Sequence, residues 1–464
     1  MSLIDVDIAL EAARAALRSG GFYADVICQR RAATTLRYED GRVDDVSTGV
    51  DSGAGVRVIK GSLAAYAHTD VIDRDHLLRA AGAAADALRH AAEGPVLVQV
   101  ETDRPVPPAV CEADKGDYEM TDIVARLEQC DSAARSSGLE VRQVTALHTS
   151  LVEEELLADS LGETGERGCE RTRLVVQVVA GRGGVMQVGL EAPGELLGPG
   201  FYRSHDPAEI ARKAARRAIV MLDARPSPTG PMAVVVHAGT GGTMLHEACG
   251  HGLEADHLQR GASVYAGRIG DKVASPLVSA WDNPTLPGLW GSYERDDEGT
   301  PSQATVLIED GVLRGFLYAR HEAMKDGVAS TGNGRRQSFR SLPIPRMSNT
   351  YISPGSSEAT EIISSTPRGL FAAKLGGGQV DPATGDYIFA VSEGYMIEDG
   401  KMTYPVRGAT LVGNGPRTLE LIDAVGNDLA HEEGTCGKDG QGVPVTTGGP
   451  TFRISKLTVG GTEL

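Results

Sequence analysis

Apolar residues recur at helical spacing near the start of the chain. Ile4, Ala9, Ala12, Ala13, Ala16 and Leu17 form one stripe, and Gly20-Gly21 follows it, which predicts a helix over 3–19. Residues 25–29 and 35–38 predict strands. Asp40-Gly41 turns the chain into a third, because this pair supplies the positive φ values of a two-residue hairpin. Residues 56–59 and 64–66 predict a further hairpin around Lys60-Gly61, and an Ala-rich helix over 73–92 ends before Gly94-Pro95. Pro105, Pro107 and Pro108 mark a linker. Beyond it come a helix over 121–137 and strands including Arg173–Ala180. A helix over 207–224 then carries Ile210, Ala211, Ala214, Ala215 and Ala218 on one face, and Pro226, Pro228 and Gly230-Pro231 close this part.

From Met232 the pattern is strand-rich. Asp310-Gly311 and Asp399-Gly400 are two more hairpin signals, each flanked by alternating apolar residues. No internal repeat is evident. The expectation is an α+β, multi-domain protein: an N-terminal α+β unit over 1–95, a middle α+β segment over 96–225, and a strand-rich, Gly-rich C-terminal domain over 226–464 built on an antiparallel sheet or barrel. Composition agrees, since 58 glycines and only 5% aromatics favour tight turns and close strands over a large helical bundle.

Charge narrows the partners. With 45 basic and 63 acidic residues the net charge is −18, which repels phosphate backbones and argues against nucleic acid. The nearest thing to a basic patch is Arg335, Arg336, Arg340 and Arg346. Interspersed with Gly, Ser and Pro, they are expected to form a solvated loop. Six scattered cysteines (Cys28, Cys111, Cys130, Cys169, Cys249, Cys436) form no disulfide framework. No run of about 18 apolar residues spans a membrane, and the opening residues lack a leader pattern. The expected location is the cytoplasm.

The chemistry concentrates at His246-Glu247-Ala248-Cys249-Gly250-His251, an H-E-x-x-x-H segment. In H-E-x-x-H zinc proteases the histidines sit at i and i+4 on one helical face. Five positions on a regular helix rotate the two imidazoles about 140° apart. A metal site therefore needs a π-bulge or an end to the helix near Gly250, and the flanking Gly250 and Gly252 make either distortion cheap. Three fixed positions match by chance easily in a chain with 11 histidines. The apolar approach through Met244 and Leu245, and the glycines over 239–242, add weight to the metal reading. A catalytic zinc usually takes a third protein ligand. Glu254, Asp256, His257, His431 and Cys436 are candidates, Cys436 for its tight, polar, non-helical setting. Cys249, inside the motif, is expected to face the core. Glu247, beside a ligand but pointing elsewhere, suits a general base. No G-x-S-x-G elbow or phosphate loop competes, and Gly376-Gly377-Gly378 reads as a loop or a close backbone approach.

Several segments together resemble the TldD/PmbA (TldE) metallopeptidase family, and the likeness spans nearly the whole chain. They are Tyr38-Glu-Asp-Gly-Arg-Val, Gly53-Ala-Gly-Val-Arg, the histidine segment continued through Gly-Leu-Glu-Ala-Asp256, Asp297-Glu-Gly-Thr-Pro, Pro345-Arg-Met-Ser-Asn-Thr, Gly376-Gly-Gly-Gln-Val-Asp, Val391-Ser-Glu-Gly-Tyr and Cys436-Gly-Lys-Asp-Gly-Gln. The resemblance is to the TldD half. It implies that His246, His251 and Cys436 are zinc ligands and Glu247 the catalytic carboxylate. Cys249, at a variable position of the motif, is a departure from the family pattern that offers a second thiolate beside the metal. It also implies a dimer, either with a TldE/PmbA-like homologous subunit or with a second copy. Family members act on unfolded or extended peptides, and some relatives hydrolyse small-molecule amides, N-deacetylation included. Peptidase is the first expectation and biosynthetic amidase the alternative. Gly376, Gly377 and Gly378 are the expected substrate-binding backbone, lying where an extended peptide would add as a strand.

Overall fold

The computed structural model describes residues 3–90, 96–99 and 119–461. The linker prolines, Cys111 and the Gly94-Pro95 stop lie outside the described residues.

The first large sheet is built from long strands: β1 (Tyr23–Glu39), β2 (Arg42–Lys60), β3 (Leu63–Thr69), β4 (Val96–Gln99), β5 (Val141–Asp159), β6 (Thr164–Arg182) and β7 (Val185–Glu191). They lie in the order β4-β3-β2-β1-β5-β6-β7, so segments on both sides of residue 95 build one sheet. β1 is continuous where two short strands are expected. Its polar middle, Arg30–Thr34, is paired on both sides, to β2 and to β5, and that double ladder carries the strand through residues whose side chains suggest a break. The Asp40-Gly41 turn forms with Asp40 at φ 46°.

Alternation along β1 divides the two faces of the sheet. Ala24, Val26 and Cys28 pack with helices α1 (Val6–Ala16) and α2 (Arg74–His90). Farther along the same face, Leu36 and Tyr38 join helix α3 (Met120–Arg135) and the helix Pro207–Met221. On the opposite face Asp25, Ile27 and Gln29 meet the C-terminal half, where Ile27 packs with Leu157 and Phe339.

That half contains a closed five-stranded barrel. Gly230–Val236 pairs in parallel with Arg368–Val380 and antiparallel with Phe452–Gly460. Thr410–Asn414 and Asp386–Glu398 complete the ring. The barrel form is as expected, but one of its pairings is parallel. Beside it lies a sheet ordered Val312–Leu313, Thr305–Glu309, Ala280–Asp282, Asn349–Ile352, Gln441–Gly449, Ala430–Lys438. The Asp310-Gly311 and Asp399-Gly400 hairpins form, with φ 49° and 48° at the aspartates. The helix Thr240–Ala248 packs between barrel and sheet. The protein is thus a mixed α+β, multi-domain structure.

The arginine-rich loop is a correction. Arg335, Arg336 and Arg346 are buried, at 4%, 4% and 0% exposure. Only Arg340 is partly exposed, and it pairs with Asp51 and Asp70 at 2.6 Å each. Their partners come from distant parts of the chain, which local composition cannot reveal. The described cysteines are all free. No helix among the described residues is long and apolar enough to cross a membrane.

Candidate metal centre

The helix Thr240–Ala248 is apolar on its buried side through Met244, Leu245 and Ala248. It can lie close to the neighbouring sheet because Gly242 has no side chain. A Cβ there would fall 2.2 Å from the backbone nitrogen of Gly448. The i, i+5 spacing is accommodated by ending the helix: Cys249 leaves helical geometry at φ −132°, and Gly250–Leu253 forms a 3₁₀ turn. His251 is therefore swung back beside His246, their rings crossing at 86° with centroids 5.1 Å apart. Gly250 leaves room at the turn for the buried Met347 side chain, whose sulfur would lie 2.1 Å from a Cβ there.

Cys436 comes from the other side. Its non-helical setting is the strand Ala430–Lys438, folded onto Gln441–Gly449 by a hairpin with Asp439 at φ 49°. This Asp439-Gly440 pair is the same signal that marks the other three hairpins, and sequence reading missed it. The Cys436 Sγ lies 3.1 Å from His246 Nε2 and 3.4 Å from His251 Nε2. The three donor atoms lie within 4.8 Å of one another, and the residues are buried, at 2%, 7% and 5% exposure. Burial pushes the Cys436 thiol up, but the two imidazoles outweigh it and hold the group at about 4, so the free site presents a thiolate.

Glu247 is the open member of the group. Its side chain is 29% exposed, and its Oε2 lies 3.9 Å from His251 Nε2. Cys249 behaves differently. It is fully buried in the core with Met244, Leu245 and Tyr265, and burial pushes its thiol up to about 12. It stands outside the donor cluster.

The other candidates for a third ligand are elsewhere. His431 lies on the opposite strand face from Cys436, against the Tyr351 ring. Glu254 is fully buried and does not point its carboxylate into the cluster. Its Oε2 meets His251 Nδ1 at 2.9 Å and receives Lys438 Nζ at 2.9 Å. Burial would raise the Glu254 carboxyl, but Lys438 and His251 hold it well below the usual range. For His251 burial works downward, and Glu254 and Cys436 outweigh it and raise the imidazole well above its usual value. Asp256 holds the same Lys438 at 2.6 Å, and His257 stands 4.0 Å from Glu254. Spacing marked Glu254 as a possible donor to metal; only the fold reveals it as a partner of a histidine. Gly376, Gly377 and Gly378 lie exposed in the barrel strand Arg368–Val380, at a break in its register with Asp386–Glu398. They form no loop. Leu375, just before them, donates its N–H to Thr240 at the start of the histidine helix, at 2.9 Å.

Two nitrogens and a thiolate, converging while buried, make a donor set of the kind zinc takes. Known proteins carry the same architecture. The chain matches the models of PmbA/TldA metallopeptidase domain 1 over residues 24–88, the central domain over 114–222 and the C-terminal domain over 229–461. It is 37% identical over 451 residues to a metalloprotease TldD homolog of Haemophilus influenzae, covering 95% of this chain and 93% of that one. A zinc metalloprotease TldD homolog of Saccharolobus solfataricus is 32% identical over 260 residues, 55% of this chain and 57% of that one. In fold, the crystal structure of TldE from Thermococcus kodakarensis matches with a TM-score of 0.79 at 19% identity, over 98% of this chain and 100% of that one. With three domain models in order and full-length relatives of this similarity, the chain belongs to the PmbA/TldD metallopeptidase family.

Proposed function

We propose that this chain is a zinc-dependent peptidase in which His246, His251 and Cys436 hold the metal and Glu247 is the general base. The observation that carries the reading is the convergence of the three buried donors within 4.8 Å, with the partly exposed Glu247 carboxylate 3.9 Å from one of them. The name of the Saccharolobus relative supports zinc in particular. A zinc ion held there supplies a Lewis acid and a water of lowered pKa. Glu247, which no hydrogen bond to the ligands ties down, takes the water's proton on a carboxylate oxygen and hands it to the leaving nitrogen. Cys436 supplies its charge already as thiolate, so zinc need not displace a proton from sulfur.

An extended peptide is the substrate that the surroundings favour. The strand Ala430–Lys438, which carries Cys436, is the last in its sheet and pairs only with Gln441–Gly449 among the described residues. Such an edge accepts a peptide as an added strand, drawing on main-chain hydrogen bonds and tolerating many sequences. The exposed Gly376–Gly378 stretch belongs to the same neighbourhood, since Lys374, two residues earlier, pairs with Glu432 of that strand at 2.7 Å. The likeness to TldE further supports work with a homologous subunit or a second copy, which light scattering at micromolar concentration would register as a two-chain particle.

The test is Glu247→Gln. Zinc content should match the unaltered protein, and hydrolysis of an unfolded peptide should fall by about 10²–10⁴-fold. Near-normal turnover would remove Glu247 from the mechanism. Cleavage of a small N-acylated metabolite with indifference to unfolded peptides would move the substrate to a small amide.

A further inference from the structure

The segments that bring His251 and Cys436 together are joined a second time. Lys438 lies two positions after Cys436, on the same face of the strand. Its ammonium reaches Glu254, three positions after His251, at 2.9 Å. It also donates to Asp256 Oδ1 at 2.6 Å and to the Pro345 carbonyl at 3.0 Å. The Glu254 oxygen that receives Lys438 also meets His251 Nδ1 at 2.9 Å, while its other oxygen accepts the Met347 N–H at 3.3 Å. The side chains of Lys438, Glu254 and Asp256 are 4%, 0% and 5% exposed.

An ion pair this deep loses so much hydration that its attraction is a weak reason to keep it. Its geometry has a further consequence. An imidazole held at Nδ1 by a carboxylate has its ring orientation fixed and its Nε2 left for a metal, and Nε2 is the atom that faces Cys436. His246 has no such help, as its Nδ1 is buried without a hydrogen-bond partner among the described residues. It needs less, standing within the regular helix, whereas His251 lies beyond the helix end in the 3₁₀ turn.

We propose that Glu254 and Lys438 are positioning residues of the metal centre: they hold the His251 ring with Nε2 turned toward the Cys436 sulfur and keep the Cys436 strand aligned with it before metal arrives. This rests on the ligand set proposed above. The ion pair crosses between the same two segments as the donor cluster, so it preserves the gap into which the metal fits when the metal is gone.

The experiment measures zinc affinity of the full-length chain by competition with a chromophoric chelator, and the thiolate-to-metal charge-transfer band of the cobalt-loaded protein. Glu254→Gln should weaken zinc by about 10–100-fold and shift the cobalt band. Asp256→Asn, which touches Lys438 but not His251, should weaken it clearly less. Should Glu254→Gln fail to fold, Glu254→Asp keeps the buried charge balance while withdrawing the oxygen from His251, and the same weakening is expected. Unchanged affinity and band in the Glu254 variants, or equal weakening by Asp256→Asn, would overturn the proposal. Cys436→Ala in the same assay separates the two readings. If it binds zinc like the unaltered chain, the ligand set is wrong; if it loses zinc while Glu254→Gln does not, only the positioning role falls.

Discussion

Two buried polar clusters in this protein resolve their charge in opposite ways. Between the first sheet and the C-terminal half, buried arginines are set against buried carboxylates. Arg57, with 1% side-chain exposure, reaches Asp25 at 2.8 Å and Glu298 at 2.6 Å. Arg336 donates to the Asp297 carbonyl at 2.6 Å and to Tyr66 at 3.0 Å, and Arg167 pairs with both Glu155 and Asp297. In the histidine–cysteine cluster the donors are equally buried, but among the described residues no arginine or lysine is paired with any of the three donor atoms, Arg346 reaching only the Cys436 backbone carbonyl. The first cluster sets its cations against carboxylates of the protein itself and joins the two halves of the fold. The second gathers two imidazole nitrogens and a sulfur at one point with no guanidinium or ammonium at the donor atoms, the kind of set that a metal ion completes. A buried polar cluster speaks for function through what it lacks.

The largest test of this contrast is Cys436→Ala. Zinc, expected at about one per chain, should fall to near none in metal analysis, while denaturant unfolding of the metal-free protein should move by only about 1 kcal/mol. Full zinc in the variant would break the contrast at its functional end. Arg57→Met should do the reverse. It leaves Glu298 without its paired cation and Asp25 with only the more distant Arg336, and unfolding stability should drop by about 3–5 kcal/mol. Zinc affinity of the folded protein should not change, because Arg57 touches none of the donors. If stability were unaltered, the arginine cluster would not be what joins the halves.

The sequence carried unequal information about these clusters. His246, Glu247 and His251 sit within six residues, so their chemistry is readable, and so is the need for a helix irregularity; the Cys249 turn supplies it. Cys436 was readable as a candidate donor, but its strand was not recognised, although Asp439-Gly440 marks the hairpin as clearly as Asp40-Gly41 does. Glu254 was ambiguous for a physical reason: a carboxylate three residues from a histidine suits binding a metal and orienting the histidine equally well. The arginine cluster was invisible. Arg336 and Arg57 find partners hundreds of residues away or on neighbouring strands, and the Gly, Ser and Pro around Arg335 suggest solvent. The parallel pairing of Gly230–Val236 with Arg368–Val380 is equally non-local.

The smallest expected effect concerns a third kind of charge, half-buried and with neither full pairing nor an external cation. Glu433 lies on the Cys436 strand but on the opposite face. Burial pushes its carboxyl up to about 7, with Arg173 and Lys374 pulling only partly the other way. Since the unfolded value is about 4.3, the native protein keeps a proton there between about pH 4 and 7 that the unfolded chain has released. The native state then binds more protons than the unfolded one, so this residue's contribution to stability falls as pH rises through that window and is level above it. Glu433→Gln, which stays neutral, should therefore gain on the unaltered protein as pH rises from 5 to 8, by about 1–2 kcal/mol after allowance for partial solvent access. Urea unfolding at pH 5, 6, 7 and 8 measures the difference. Zinc affinity should be untouched, because the substituted side chain points away from the donors. Parallel stability profiles would mean that Glu433 is ionised in the folded protein. Weakened zinc would mean that the two faces of this strand are not independent, and the separation between structural and metal-facing charge would have to be redrawn along it.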